Sequence, residues 1–176
     1  MSAEPSSDDI AVWNRLVESH NAFAMASREF LAEGVDRVRL MHSALRGKDR
    51  ATAIYMLRHL RVSELQQLFD DLVFQASYAH GAIGAIREAI LSLPREWVLG
   101  NIEQVAEPLL QDGTYDEYRR LLELCIELDR DLTYRLARRA VEQTDEDIRE
   151  AGKDFLDRLS LTRKIEYQDE AHNDQG

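Results

Sequence analysis

Apolar residues recur along this chain at steps of three and four, the spacing that places them on one side of an α-helix. Ile10, Trp13, Leu16 and Val17 open the pattern, and Phe23, Ala24, Phe30 and Leu31 continue it. The spacing predicts a helix with a single apolar stripe from about Asp8, with Ser or Asp of "SSDD" available to cap its first amides. Gly34 ends it, because glycine accepts the left-handed backbone of a helix exit. Val38, Met41 and Leu45 mark a second helix that stops at Gly47, and Asp49 caps a third carrying Ala53, Leu57 and Leu60. Ser63 with Gln66 has the spacing of a capping box ahead of Leu65, Phe69, Leu72 and Val73.

Residues 79–93 place Ile83, Ile86, Ile90 and Leu93 on one face. Pro94 then opens a helix with Trp97, Val98, Ile102 and Val105, which Pro108 is expected to kink or end near Glu107. Thr114 and Glu117 form a second capping box, followed by Leu121, Leu124, Cys125 and Leu128. Leu132, Leu136, Ala137 and Ala140 line the next helix, and Ile148, Ala151, Phe155 and Leu159 the last. About eight helices result. No ten-residue stretch alternates as a half-buried strand does, so the fold class is all-α. Residues 1–7 and 163–176 lack the apolar spacing and are assigned to polar tails around one domain, 8–162.

The helices also repeat. Ile86, Ala89, Ile90, Leu93 and Trp97 fall on Leu121, Leu124, Cys125, Leu128 and Leu132 at a shift of 35 residues, with the break "LPRE" on "LDRD". At a shift of 33, Ala53, Leu57, Leu60, Leu65, Phe69 and Leu72 fall on Ile86, Ile90, Leu93, Val98, Ile102 and Val105. A period in the mid-thirties built from two short helices is the mark of an α-solenoid. "DRDLTYRLARRA" and "DEDIREAGKDFL" carry a more specific likeness: an acidic turn, then an arginine, then small alanines. In this the chain resembles the HEAT-repeat family over about Arg50 to Leu159, although it lacks the repeated Pro and Val of typical units. The resemblance implies a short right-handed α-solenoid of about three helix pairs. It further implies that Asp131 or Asp145 caps, that Arg135 or Arg149 bridges the stack, and that Ala137 and Ala140 let helices approach. The first helix is too long for the pattern and is expected to act as a lid over the first repeat's apolar edge.

Composition narrows the function. Thirty-three acidic against 22 basic side chains give a formal charge of −11, which repels nucleic acid and anionic membrane surfaces. No apolar run reaches the length of a membrane span and the acidic start is unlike a secretion signal. The single Cys125 provides neither a disulfide nor a cysteine-based metal site, so a reducing, cytoplasmic setting is expected.

Motifs for catalysis are missing from the chain: no His-Glu-x-x-His, no Glu-x-x-His, no phosphate loop and no Gly-x-Ser-x-Gly. Glu18 and His20, two apart on a helix, face different directions. His59 and His80 lie beside apolar stripes without carboxylate or thiol at ligand spacing and are expected at the core edge. Cys125 falls on the buried frame, and Gly81 with Gly84 are expected to let helix backbones touch. No catalytic residue, metal site or cofactor is assigned.

The expected function is therefore non-catalytic binding of another protein. The family geometry would place the groove near Arg119, Arg120, Arg138, Arg139, Glu142 and Glu146. A second candidate site is the segment 35–61, where Arg37, Arg39, Arg46, Lys48, Arg50, Arg58 and Arg61 outweigh Asp36 and Asp49, a local +5 in an acidic chain. Such a patch suits an acidic partner, a phosphate or a nucleic acid, or is a solvated face paired with neighbouring acids. An acidic inhibitor of a basic enzyme and a helical-bundle enzyme or metal protein are the remaining readings.

Overall fold

The computed structural model describes residues 5–78 and 81–173, with side chains as far as Leu161. Among the described residues there are ten α-helices and no strand. In chain order they are α1 (Ser7–Phe30), α2 (Arg37–Arg46), α3 (Arg50–Met56), α4 (Val62–Gln67), α5 (Phe69–Ala76), α6 (Ile83–Leu91), α7 (Arg95–Asp112), α8 (Tyr115–Leu128), α9 (Arg130–Val141) and α10 (Glu146–Asn173). A 3-10 turn, Leu57–His59, follows α3. The segment expected as one helix from Ser63 is divided at Leu68 into α4 and α5. α10 also continues through residues that the sequence pattern assigns to a polar tail.

Helix ends follow local chemistry. Ser6 and Asp9 cap α1 reciprocally, the Asp9 amide donating to Ser6 Oγ at 3.2 Å and the Ser6 amide to Asp9 Oδ2 at 3.0 Å. The Thr114 amide donates to Glu117 Oε2 at 2.6 Å at the start of α8. Asp145 accepts from the Ile148 amide at 3.1 Å and caps α10, whereas α9 is capped by Asp129, which accepts from the Leu132 amide at 2.8 Å; Asp131 already lies inside the first turn. At α4 the cap is the Glu64 carboxylate on the Arg61 amide at 2.8 Å, not Ser63 with Gln66. Asp49 precedes α3 but makes no side-chain cap. Gly34 has φ +87°, but α1 already ends at Phe30 with Leu31 as its C-cap, so the left-handed backbone serves the turn beyond the helix and not its exit.

Pro108 neither ends nor divides α7, which runs unbroken from Arg95 to Asp112. Proline withholds the amide that would serve the carbonyl four residues earlier, at Gln104. Gln104 and Pro108 are both exposed, so water can satisfy that carbonyl.

One core runs from Met41 on α2 to Phe155 on α10. Its principal contacts join helices no more than three apart in chain order: α2 with α3, α5 with α6, α7 and α8, and α8 with α9 and α10. Most, though not all, aligned positions are buried alike; Trp97 and Val105 are only half-buried where Leu132 and Leu72 are buried. Leu57, Ile90 and Cys125 are all fully buried, as are Ile86 with Leu121, Val98 with Thr133 and Ile102 with Ala137.

α1 does not act as a lid. It contains no buried residue and takes part in none of the principal helix contacts. Only its C-terminal end reaches the body, where Phe30 and Leu31 pack against the core and the Phe23 ring meets Tyr55 edge-on at 5.2 Å. The stripe that the spacing predicts does exist, but its N-terminal half faces solvent.

Candidate protein-binding surface

Ile10, Trp13 and Leu16 are 49, 63 and 59% exposed, and Val12 and Met25 also stand open on α1. Between Ser7 and Phe30 there is neither glycine nor proline, so the helix carries this stripe without a break. Leu16 with Val17, Phe23 with Ala24, and Phe30 with Leu31 form apolar pairs at intervals of seven residues. The stripe therefore runs from open helix into the contact with the body.

Beside that contact lies a cleft of about 230 Å3. One wall is α1, with Phe23, Ala26 and Phe30; the other is α2 and α3, with Leu40, Met41, Ala44, Ala53 and Met56. Ser27, Asp49 and Thr52 are the polar residues of its lining. Leu40 is 53% exposed, an unusual position for a leucine that fronts an apolar hollow.

The basic segment separates into two groups. Arg37 is structural: Nε donates to Glu64 at 2.7 Å and a terminal nitrogen donates to the carbonyls of Leu31 and Ala32 at 3.2 and 2.8 Å. Arg46 donates to Asp71 at 2.6 Å, and Asp71, although almost wholly buried, also receives His42 Nδ1 at 2.6 Å. Arg58 lies over the Tyr55 ring at 4.2 Å. Arg61 is exposed and stands beside the Glu64 carboxylate, whose pKa its charge helps to lower. Arg39, Lys48 and Arg50 are exposed and have no carboxylate partner among the described residues. Lys48 and Arg50 flank Asp49, and Arg39 precedes Leu40, so all three adjoin residues lining the cleft.

Sequence reasoning misses the Asp71 site. The one available signal was His42 and Arg46 at i and i+4 on α2, a spacing that aims two donors in the same direction. The arrangement ties α2 to α5.

Three of the six residues expected along the groove are engaged in ion pairs. Arg119 bonds to Asp154 of α10 at 3.2 Å, and Arg120 to Glu123 on its own helix at 2.8 Å. Arg139 makes a bidentate pair with Glu107 of α7, both bonds at 2.7 Å. Arg138, Glu142 and Glu146 are exposed. These belong to a wider set of arginines linking helices: Arg87 to Glu123 at 3.0 Å, Arg95 to Asp129 and Arg135 to Glu103. Arg149, the other expected bridge, instead donates to the carbonyls of Gln143 and Thr144 just ahead of its own helix.

Hydrogen bonds from Arg139, reinforced by Gln111, hold the Glu107 carboxyl down at about 2, against an ordinary 4.5. A group depressed in the folded state stabilises above its unfolded value and loses that contribution as pH falls. The stability that the α7–α9 link supplies should therefore be full above about pH 4.5 and be lost progressively down to about pH 2. Acid titration followed by circular dichroism should show a shallower slope over that window in Glu107→Gln than in the parent; identical slopes would show that the pair contributes nothing.

Other singled-out residues have plain surroundings. Cys125 is fully buried, and burial pushes its thiol far above the usual range. Glu18, His20 and His59 are exposed, and His59 takes a bond from Arg58 Nε at 3.2 Å. His80 lies outside the described residues. Gly81 and Gly84 permit no close approach, since a Cβ at either would meet nothing within 4 Å. Among the described residues no group of three or more His, Cys, Asp or Glu side chains could hold a metal ion, and no helix is long and apolar enough to cross a membrane. No protein-family model, curated protein or solved structure matches the chain.

Proposed function

We propose that the chain is a non-catalytic protein-interaction module, a short right-handed α-solenoid of HEAT-like helix pairs that binds through α1 and the cleft beside it. The observation that carries this reading is α1 itself, a helix with a continuous apolar stripe and no buried residue. Large apolar side chains gain about 1.5–3 kcal/mol each when fully removed from water. Ile10, Trp13 and Leu16 forgo much of that in the isolated chain, and a partner covering them would recover part of it after the cost of association.

Two observations support the solenoid arrangement. Most buried positions coincide at shifts of 33 and 35 residues, and the arginine links Arg87 to Glu123, Arg119 to Asp154 and Arg139 to Glu107 join residues 36, 35 and 32 apart. Contacts confined to near neighbours in chain order fit a linear array, in which each unit rests on the next.

A photoreactive amino acid at position 13, introduced in the native cell, tests the binding reading. Covalent adducts with protein are expected from position 13 and not from exposed Gln111. No protein adduct at 13 would remove the basis of the reading. The unpaired Arg39, Lys48 and Arg50 favour a second reading, binding of a polyanion. That reading requires affinity for a single-stranded oligonucleotide that falls steeply with added salt.

A further inference from the structure

The stripe, the cleft and the unpaired cations fit one another, but not within a single molecule. α1 is a continuous helix of 24 residues, about 36 Å long at 1.5 Å per residue, and its C-terminal end forms one wall of the cleft. Without a break, its N-terminal half cannot turn back into that cleft. A second copy can supply what the first cannot. We propose that the occupant is the N-terminal half of α1 from a second copy of this chain, the two copies exchanging helices about a two-fold axis so that Trp13 of each enters the other's cleft.

Three features support this occupant, and the inference rests on the binding surface proposed above. Size is the first: cavities of about 150 Å3 accept a benzene ring, and this cleft of about 230 Å3 is open. Charge is the second. A chain of −11 repels its own copy over most of its surface, and the segment 35–61 is where an acidic element meets attraction. The first turn of α1 carries exposed Asp8 and Asp9, and Lys48 and Arg50 at the cleft lack carboxylate partners. Continuity is the third. The paired apolar positions of α1 pass from solvent into the cleft wall, so an incoming helix of the same sequence meets an apolar surface that extends its own stripe. A two-fold arrangement uses each feature twice, because the same patch serves both subunits.

Light scattering on the full chain, at concentrations from about 1 to 100 µM, reads the association directly. The parent is expected to be a dimer, and Trp13→Glu a monomer with unchanged helicity, since Trp13 is 63% exposed in the single chain; its melting temperature should match that of the parent diluted until it dissociates. Lys48→Glu with Arg50→Glu should weaken the dimer at least about tenfold, and adding Asp8→Lys, which leaves the Ser6–Asp9 cap of α1 in place, should recover part of that loss. A parent that is monomeric throughout the range, a dimer untouched by Trp13→Glu, or a charge exchange without recovery would each overturn the inference. The photoreactive residue at position 13 separates the two levels. Adducts with a different protein from a monomeric chain would sink the self-association and leave the binding surface standing, whereas no adduct of any kind would sink both.

Discussion

Phe155→Ala is expected to lower the melting temperature by roughly 10 °C, the largest effect of any substitution considered. Phe155 is fully buried on α10, the helix that closes the C-terminal end of the core against α9 and α8. Truncating a buried phenylalanine removes its transfer free energy and leaves a cavity that a close-packed interior only partly fills, a combined loss of about 3–5 kcal/mol. The guanidinium of Arg158 lies over the ring at 4.8 Å and loses that contact too. Thermal unfolding by circular dichroism provides the check. A shift below about 2 °C would mean that α10 contributes little to the cooperative unit and that the core effectively ends at α9.

Gly152→Ala is expected to destabilise by about 2 kcal/mol, although alanine is the better helix former by about 1 kcal/mol. Gly152 lies inside α10 where that helix crosses α9. A Cβ there would stand 2.7 Å from the Ala137 carbonyl oxygen and 2.8 Å from the Ala140 Cβ. Neither neighbour is the flexible end of a long side chain, so the helices must separate, and the packing lost outweighs the gain in propensity. Gly100, on the exposed side of α7, is the matched comparison, since a Cβ there meets nothing within 4 Å. Gly100→Ala should stabilise by up to about 1 kcal/mol. Urea unfolding of the two variants beside the parent separates the terms: opposite signs are expected, and two stabilised proteins would show that α9 and α10 do not cross so closely.

These two glycines show where the chain is legible and where it is not. The HEAT-like resemblance draws attention to Ala137 and Ala140 as positions of close approach, and Gly152 meets both of them. Gly81 and Gly84 look equally suggestive in sequence, yet nothing approaches either. A glycine's role is set by the helix that crosses it, and spacing along one chain does not contain the crossing. Capping is local and is read more easily. The Thr114 and Glu117 pair needs only four consecutive residues and is found as expected, and so is the all-helical class.

The candidate site divides in the same way. Periodicity identifies which side of α1 is apolar but not whether anything covers it, and the expectation of a lid supplied a cover that the fold does not. The basic segment is visible as composition. Its division between Arg37 and Arg46, engaged by Glu64 and Asp71, and the unpaired Arg39, Lys48 and Arg50 depends on which acids α4 and α5 bring within reach. Pro108 misleads for a related reason. The cost of a missing amide depends on whether the orphaned carbonyl meets water, and exposure is a property of the folded molecule.

The bonds from Arg37 to the Leu31 and Ala32 carbonyls have a consequence for α1. They grip the chain just past the helix, while Nε of the same guanidinium is anchored on Glu64 of α4. The strut is thus clamped at its root rather than left to swing on the 31–36 connection. Its heading is fixed when the body folds, so little orientational freedom remains to be surrendered when Trp13 is finally covered.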